Sequence, residues 1–275
     1  LQMERKSIEP MALNVEGAKV RAIQRFISES TWDADKMMNI YRSMVCDDMG
    51  EESGVLIIDE SGFKKKGNDS AGVYKQYCGN IGKVDNCQVG VFAGYASSQG
   101  YALLDKELFV PEAWFTDEYE ERRGKCQFPV DLKFKTKPQI AARMVDDVIE
   151  QNQIPVKYIV ADSIYGNSPE FVEQVEKHVG KIYFLAAPSD TRCWLKIPAT
   201  TEKEYKYRGE VRKKSVLKQG EKQAISLMDL AKSTNSFFWY RRKVSEGTKG
   251  PIEYEFSKRR VVVAKNGLPT KEVWL

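Results

Sequence analysis

Two aspartates close short apolar runs in this chain. "VLIID" ends on Asp59 and "KYIVAD" ends on Asp162, each with a glycine a few residues behind. Such a short continuous apolar run is what a strand buried on both faces requires. In a parallel arrangement the carboxyl ends of neighbouring strands share one edge of the sheet, where ligands bind. If the two strands are neighbours pointing the same way, Asp59 and Asp162 face each other at that edge. Two carboxylates brought close repel, and each loses hydration, unless a cation sits between them. Mg²⁺ or Mn²⁺ takes hard oxygen ligands and keeps positions open for phosphate and water. Two such ions about 4 Å apart activate a nucleophile and stabilise the leaving oxygen of an in-line phosphoryl displacement. Taken alone, the same pattern also fits two turn residues that bond their own backbone.

The other titratable residues narrow the chemistry. His178 is the single histidine, so a Ser-His-Asp triad or a multi-histidine metal centre would have to be built around it. Its place in an amphipathic run reads as a helix-end surface histidine. Cys46, Cys78, Cys87, Cys126 and Cys193 contain no C-x-x-C pair and are odd in number. That argues against a disulfide framework or a zinc site and for free thiols in a reducing cytoplasm. No stretch approaches the roughly 18–20 apolar residues of a membrane span, and the first residues, "LQMERKSIEP", have no apolar signal core. The net charge of +4 is unevenly spread: residues 1–195 carry 24 Lys and Arg against 30 Asp and Glu, residues 196–275 carry 19 against 9. A basic block of this kind suits a polyanion partner, and equally an ordinary lysine-rich surface.

The elements that must position the aspartates follow from periodicity. Residues 17–29 place Val20, Ile23, Phe26 and Ile27 on one helical face, and residues 33–48 do so with Met37, Tyr41, Met44 and Val45, the methionines filling core. Thr31 or Asp33 is the candidate cap of that second helix. "VLIID" (55–59) is a buried strand; "NCQVGVFAGYAS" (86–97) and "YALLDKELFV" (101–110) form a hairpin through "SQG". A charged excursion (117–137) leads to a helix opened by Pro138, with Ile140, Met144, Val145 and Val148 inward. Strand 157–162, a helix from Pro169 to His178 and strand 181–188 make a right-handed βαβ unit, hence a parallel pair. The chain should therefore divide into an N-terminal helical segment (1–50), an α/β core with a ribonuclease-H-like mixed sheet (51–190) and a basic, β-rich subdomain (191–275). In the last of these, 196–222 shows little apolar periodicity, while "SFFWYRRKV" and "RRVVVA" read as strands.

Longer blocks around both aspartates carry a resemblance. "IIDESGFKKKGNDSAGVYKQYCGNIGKVDNCQVGVF" resembles the first-aspartate block of DDE-superfamily transposases of bacterial insertion sequences, and "YIVADSIYGNSPEF" is similar to their second. "RKSIEPMAL", "LLDKELFVPEAW" and "WYRRKVSEGTKGPIEYEF" follow the same family in the same order, so the likeness covers nearly the whole chain. It implies a ribonuclease-H-like catalytic core, Mg²⁺ or Mn²⁺ as cofactor, and DNA (element ends and target) as partner. It also implies a homo-oligomer assembled on DNA, no membrane, and a place in the cytoplasm at the nucleoid. Asp59 and Asp162 match the first two acidic metal ligands. The third, a Glu on a helix beyond the basic segment, has no match; Glu253 and Glu255 sit in a strand-like stretch. The chain, which lacks Met at position 1 and ends at "LPTKEVWL", is accordingly expected to be an excerpt of a longer one or a truncated relic. A DNA-binding remnant that no longer cleaves, and another ribonuclease-H-like nuclease such as a resolvase, stay open beside the transposase.

The remaining candidates are weighed against these blocks. Glu60 follows Asp59 on the strand and so points to the opposite face, in a supporting role. Lys64, Lys65 and Lys66 on a following loop, with Lys213, Lys214, Arg241 and Arg242 in the basic block, are candidate nucleic-acid contacts. Asn86, Gln88 and Tyr165 are expected to support the metal site; Cys87 is a small buried residue rather than a nucleophile. Trp194, Phe237, Phe238, Trp239 and Tyr240 read first as the small core of the basic subdomain, and second as platforms for unpaired bases.

Overall fold

The computed structural model describes residues 7–151, 154–248 and 250–275, and three helices come first: α1 (Ile8–Leu13), α2 (Val20–Glu29) and α3 (Ala34–Met49). Asp33 caps α3 by accepting from Lys36 N at 2.9 Å, satisfying one of the amides a helix start leaves unpaired. The expected inward faces are not covered. α2 buries no residue, α3 buries only Val45, and Phe26 and Met44 stay 52% and 58% exposed. Helical spacing locates an apolar stripe, but burial needs a partner surface that spacing does not supply; the reading of Met37 and Met44 as core is thereby corrected.

The central sheet is built from β1 (Val55–Lys64), β2 (Tyr74–Cys78), β3 (Lys83–Ser97), β4 (Gly100–Phe109), β5 (Tyr158–Ala161) and β6 (Ile182–Leu185). Its order is β2-β3-β1-β5-β6, with β4 also on β3. β1 runs antiparallel to β3 from Val55 opposite Ala96 to Lys64 opposite Cys87, and parallel to β5 from Val55 opposite Tyr158 to Ile58 opposite Ala161. It is a mixed α/β arrangement, as the element order implied. β1 is twice the expected length because β3, fifteen residues long, offers it a pairing edge well beyond Asp59. The β3–β4 hairpin turns where "SQG" stands, as expected.

Between β4 and β5 lie α4 (Glu120–Lys125), α5 (Lys137–Asp146) and a turn of wider, π-type helix (Asp147–Gln151). Thr136 and Gln139 form a reciprocal capping box at the start of α5, next to Pro138, two devices that fix where a helix begins. The predicted stripe is the buried one: Ile140, Met144, Val145 and Val148 are at most 2% exposed. α5 packs on β3 and β4. A satellite core of Val73, Val110 and Trp114, joined by Phe115, Tyr119, Cys126 and Phe128, anchors the excursion after β4. After β5 come α6 (Ser163–Gly166) and α7 (Pro169–Glu176), the latter against α5.

The chain divides into two compact units: the described residues up to Ala161 with Pro169–Phe184, and Asp162–Ser168 with Leu185–Leu275. The second contains β7 (Arg192–Trp194), β8 (Thr200–Tyr207), β9 (Glu210–Leu217), β10 (Ile225–Ser226), α8 (Leu227–Ser233), β11 (Tyr240–Gly247), β12 (Gly250–Phe256), β13 (Arg260–Lys265) and β14 (Leu268–Trp274). One sheet runs β10-β7-β13-β14; β8–β9 and β11–β12 are separate two-stranded ribbons. The stretch without apolar periodicity is thus largely the β8–β9 ribbon, turned by Arg208 and Gly209 at φ 50° and 85°, the left-handed pair a tight hairpin requires. The small core is Cys193, Leu230 and Val261 with Leu227 and Val273. Of the expected aromatic core only Trp194 is buried, its indole N–H on Lys222 O at 2.8 Å. Phe237, Phe238 and Tyr240 are exposed, and β11 starts at Tyr240 because Ser236–Phe238 is a 3-10 turn.

Candidate functional site

The parallel register decides where the two aspartates stand. Its last pair is Ile58 with Ala161, and Asp59 and Asp162 are the residues that follow these two in sequence. Against β3, however, Asp59 is mid-strand, opposite Phe92. Asp59 is not a strand end, as expected, but the point where parallel pairing stops while antiparallel pairing continues. Its carboxylate is exposed and accepts from Glu60 N at 2.8 Å. Asp162 caps α6, accepting from Ile164 N at 2.9 Å. Each side chain is therefore oriented by a backbone amide, and each offers the hard oxygen donors that Mg²⁺ or Mn²⁺ takes. Tyr165 is fully buried in the turn after Asp162. Gly166 is required there, since a Cβ would overlap the Ala186 carbonyl oxygen.

Glu60 points to the helix side of the sheet, where its carboxylate meets Lys137 Nζ at 2.9 Å, both side chains less than one-fifth exposed. Lys137 is the first residue of α5, and it sits 5.5 Å from the Phe109 ring centre. Glu60 thus ties the start of α5 to β1, directly behind Asp59. Sequence reasoning missed Lys137: 77 positions separate the pair, and no local pattern reports a contact of that span.

The three lysines after Asp59 divide. Lys64 lies in β1, not on a loop as expected, and pairs with Asp85 at 3.1 Å. The Asn86 amide and Lys64 hold the Asp85 carboxyl below the usual range. Lys65 and Lys66 begin the loop. Asn86 Nδ2 donates to the carbonyls of Lys65 and Gly67 at 3.1 and 2.9 Å, and Gln88 Nε2 to that of Ala71 at 2.6 Å. These amides clamp residues 65–71 rather than reach Asp59. Gln88 is opposite Phe63, four residues from the Asp59–Phe92 pair, or about 13 Å along the strand. Cys87 is buried with Cys78 and Val89, and burial first, then Cys78, pushes its thiol up. It is the inert buried residue expected, since the thiolate is the reactive form.

In the second unit Lys213 and Lys214 are neighbours on β9, and Arg241 and Arg242 on β11. Lys213 pairs with Glu202 at 3.5 Å and Arg241 with Glu255 at 3.3 Å. Glu253 and Glu255 are strand residues of β12, as their sequence surroundings suggested. His178 corrects another expectation. It is buried, with Nε2 2.9 Å from Asp146 and Nδ1 3.8 Å from Glu150, and Gln174 also donates to Asp146 at 2.6 Å. Ligand atoms of Asp146, Glu150 and His178 lie within 4.8 Å of one another. Each ring nitrogen faces its own carboxylate, whereas one ion would use a single nitrogen, so the arrangement works as a clamp between α7 and α5.

A family model described as "DDE superfamily endonuclease" matches residues 1–251. The chain belongs to this family. It is 28% identical over 193 residues to a probable transposase for insertion sequence element IS701 of Microchaete diplosiphon, covering 68% of this chain and 46% of that one. The chain therefore spans about half the length of this curated relative. Among solved structures, a Ppx/GppA family member of Aquifex aeolicus superposes with a TM-score of 0.21 at 12% identity, over 66% of this chain and 54% of that one; a likeness this low carries no argument. Among the described residues, no helix is long and apolar enough to cross a membrane.

Proposed function

We propose that this chain carries the first two acidic ligands, Asp59 and Asp162, of a divalent-metal-dependent DNA strand-cleavage and strand-transfer site on a ribonuclease-H-like sheet. The observation that carries the reading is the parallel register ending at Ile58 and Ala161, within a chain of the DDE superfamily endonuclease family. Asp59 and Asp162 would hold Mg²⁺ or Mn²⁺, which when bound supplies Lewis acidity and a nucleophilic water at neutral pH. The protein's own part is orientation. Glu60 N fixes the Asp59 carboxylate, Ile164 N fixes that of Asp162, and the Glu60–Lys137 pair holds the strand behind them. DNA is the substrate and partner of this reading, with element ends and target both engaged by an oligomer. Lys65 and Lys66, on the clamped loop after β1, are candidate cations for its phosphates, whereas the nearer Lys64 is paired with Asp85.

The test is nicking of an element-end duplex by the purified chain with Mg²⁺ or Mn²⁺. Asp59→Asn and Asp162→Asn should each lower the rate about 10³-fold, the loss of several kcal/mol of metal-borne stabilisation. Nicking that survives both substitutions overturns the assignment. Duplex binding without any nicking by the unaltered chain would favour the DNA-binding remnant.

A further inference from the structure

The basic residues of the second unit cease to be equivalent once its strands are paired. All of β8 and the first six residues of β9 are exposed. In an antiparallel ladder, opposite residues project to the same face and successive ones alternate. The register sets Lys203 opposite Lys214, Tyr205 opposite Arg212 and Tyr207 opposite Glu210, so these six share one face. Glu202, Glu204, Lys206 and Lys213 take the other. Side-chain contacts agree with the sorting. Lys214 Nζ lies 5.4 Å from the Tyr205 ring centre and the Arg212 guanidinium 5.1 Å from that of Tyr207, while Lys213 meets Glu202 on the reverse. The first face holds three cations against one acid, Glu210, which Arg212 contacts at 3.0 Å; the second holds two against two. Arg208 in the turn also lies over the Tyr207 ring, at 5.5 Å.

The β11–β12 ribbon sorts differently. Arg241 and Lys243 share a face with Glu255 and Glu253, while the other face sets Arg242 among Tyr240, Tyr254 and Phe256. One side, with Glu246 beside Lys243, holds two cations against three acids, and the other is mainly aromatic. A cluster of three cations with aromatic support is thus found on one side of β8–β9, whereas the aromatic side of β11–β12 holds the single cation Arg242. Lysines placed only to keep an exposed ribbon from pairing with other strands have no reason to segregate by face.

We propose that the Lys203–Arg212–Lys214 face of the β8–β9 ribbon lies against duplex DNA, contacting phosphates without reading sequence, with the Glu202–Lys213 face turned away. A two-stranded ribbon fits the major groove, about 12 Å wide, and each phosphate neutralised by Lys or Arg releases counterions. The tyrosines hold the cations over their rings, which orders long side chains before DNA arrives. The proposal rests on the DNA-acting reading above and assigns contact to Lys214 while withholding it from Lys213.

The test uses binding of the full chain to a duplex, by fluorescence anisotropy in chelator, so that cleavage does not enter. Arg212→Gln/Lys214→Gln and Lys206→Gln/Lys213→Gln remove the same charge from opposite faces. The first should lower the slope of log K against log salt by about two and weaken binding at least about tenfold at 150 mM salt. The second should stay within about twofold of wild type, and a scrambled duplex should bind like the original. Lys203→Gln alone, expected to lower the slope by about one, serves should the double variant not fold. Equal losses from both faces, no loss from the first, or tighter binding to single strands overturns the proposal. None of these outcomes touches the cleavage reading, which stands or falls on nicking by the Asp59 and Asp162 variants.

Discussion

Asp59 and Glu60 are neighbours on β1, yet the two faces of the central sheet use them differently. On the helix side, Leu56, Ile58, Val89, Val91 and Ala93 are at most 1% exposed. The charges admitted there are paired: Glu60 with Lys137, and Asp105 with both Arg42 and Arg143 at 3.3 and 3.1 Å. On the other face Ile57, Asp59 and Phe63 are exposed, and Phe92 touches only the edge of Phe63 among the described ring contacts. A carboxylate on the packed face is held by a fixed cation that is part of the fold. The carboxylate on the open face, that of Asp59, is exposed and oriented by a backbone amide. Alternation along one strand therefore sets an acid paired within the fold and an acid open to solvent a single residue step apart.

The contrast breaks most sharply at Asp59. Its replacement by Asn should cost about 10³ in nicking while leaving the denaturation midpoint within about 0.5 kcal/mol of wild type, as at other surface positions. Loss of stability of the kind expected for a buried acid would show that the open face is structural after all. Asp105→Ala should do the reverse of Asp59→Asn. Removing it leaves Arg42, about one-tenth exposed, without its carboxylate, while Arg143 keeps Glu107 and Asp147, and one buried charge stripped of its partner typically costs about 3 kcal/mol. Urea denaturation would show this as a lower midpoint at unchanged slope; a shift below about 1 kcal/mol would place the cluster among ordinary surface pairs.

A smaller effect is expected behind Asp59. Lys137→Met leaves Glu60 partly buried without its cation and should destabilise by about 1–3 kcal/mol. Adding Glu60→Gln should recover part of that loss, since removing both charges is less harmful than removing one. The double variant should also retain most of its nicking, because Lys137 and Glu60 hold the strand and do not touch the reacting atoms. A double variant as unstable as the single one would mean that the pair matters by packing, not by charge.

These faces were legible in the sequence to unequal degrees. The helical spacing of Ile140, Met144, Val145 and Val148 told which side chains turn inward, because a helix period is a local property, whereas the continuous apolar run "VLIID", expected to be buried on both faces, buries Leu56 and Ile58 and leaves Ile57 39% exposed. The same reasoning failed on α2 and α3, where amphipathic spacing is present and burial is not. It also cut β1 short at Asp59. A strand's length is set by its partner, and nothing near Asp59 reveals that β3 continues to pair as far as Lys64. Ion pairs such as Glu60 with Lys137, and the clamp of Asn86 on residues 65–67, are long-range choices with no sequence period. The hairpin turns were readable in principle: Asn266-Gly267, at φ 53° and 75° between β13 and β14, is the dipeptide such turns prefer. The aromatic run Phe237–Tyr240 misled because composition marks a core only when a second layer covers it.

Glu51 sharpens the comparison by a third route, as a carboxylate outside the packed face that is nevertheless tied down. It accepts from Ser53 Oγ and, at 2.9 Å, from Ser98 N, joining the approach to β1 to the β3–β4 turn. These bonds, with that of Ser53 largest, lower its pKa from 4.5 to about 2. A carboxyl depressed in the folded state adds stability above its unfolded pKa and gives it up as pH falls towards the folded value. The contribution should therefore be complete above pH 5 and fade between about 4.5 and 2. Glu51→Gln should flatten the stability profile in that window by removing the contribution above pH 5, where its loss, kept small by solvent screening, is fully expressed, and should leave stability near pH 2.5 closest to wild type. Measured by thermal melting from pH 2.5 to 7, this is the smallest of the expected effects.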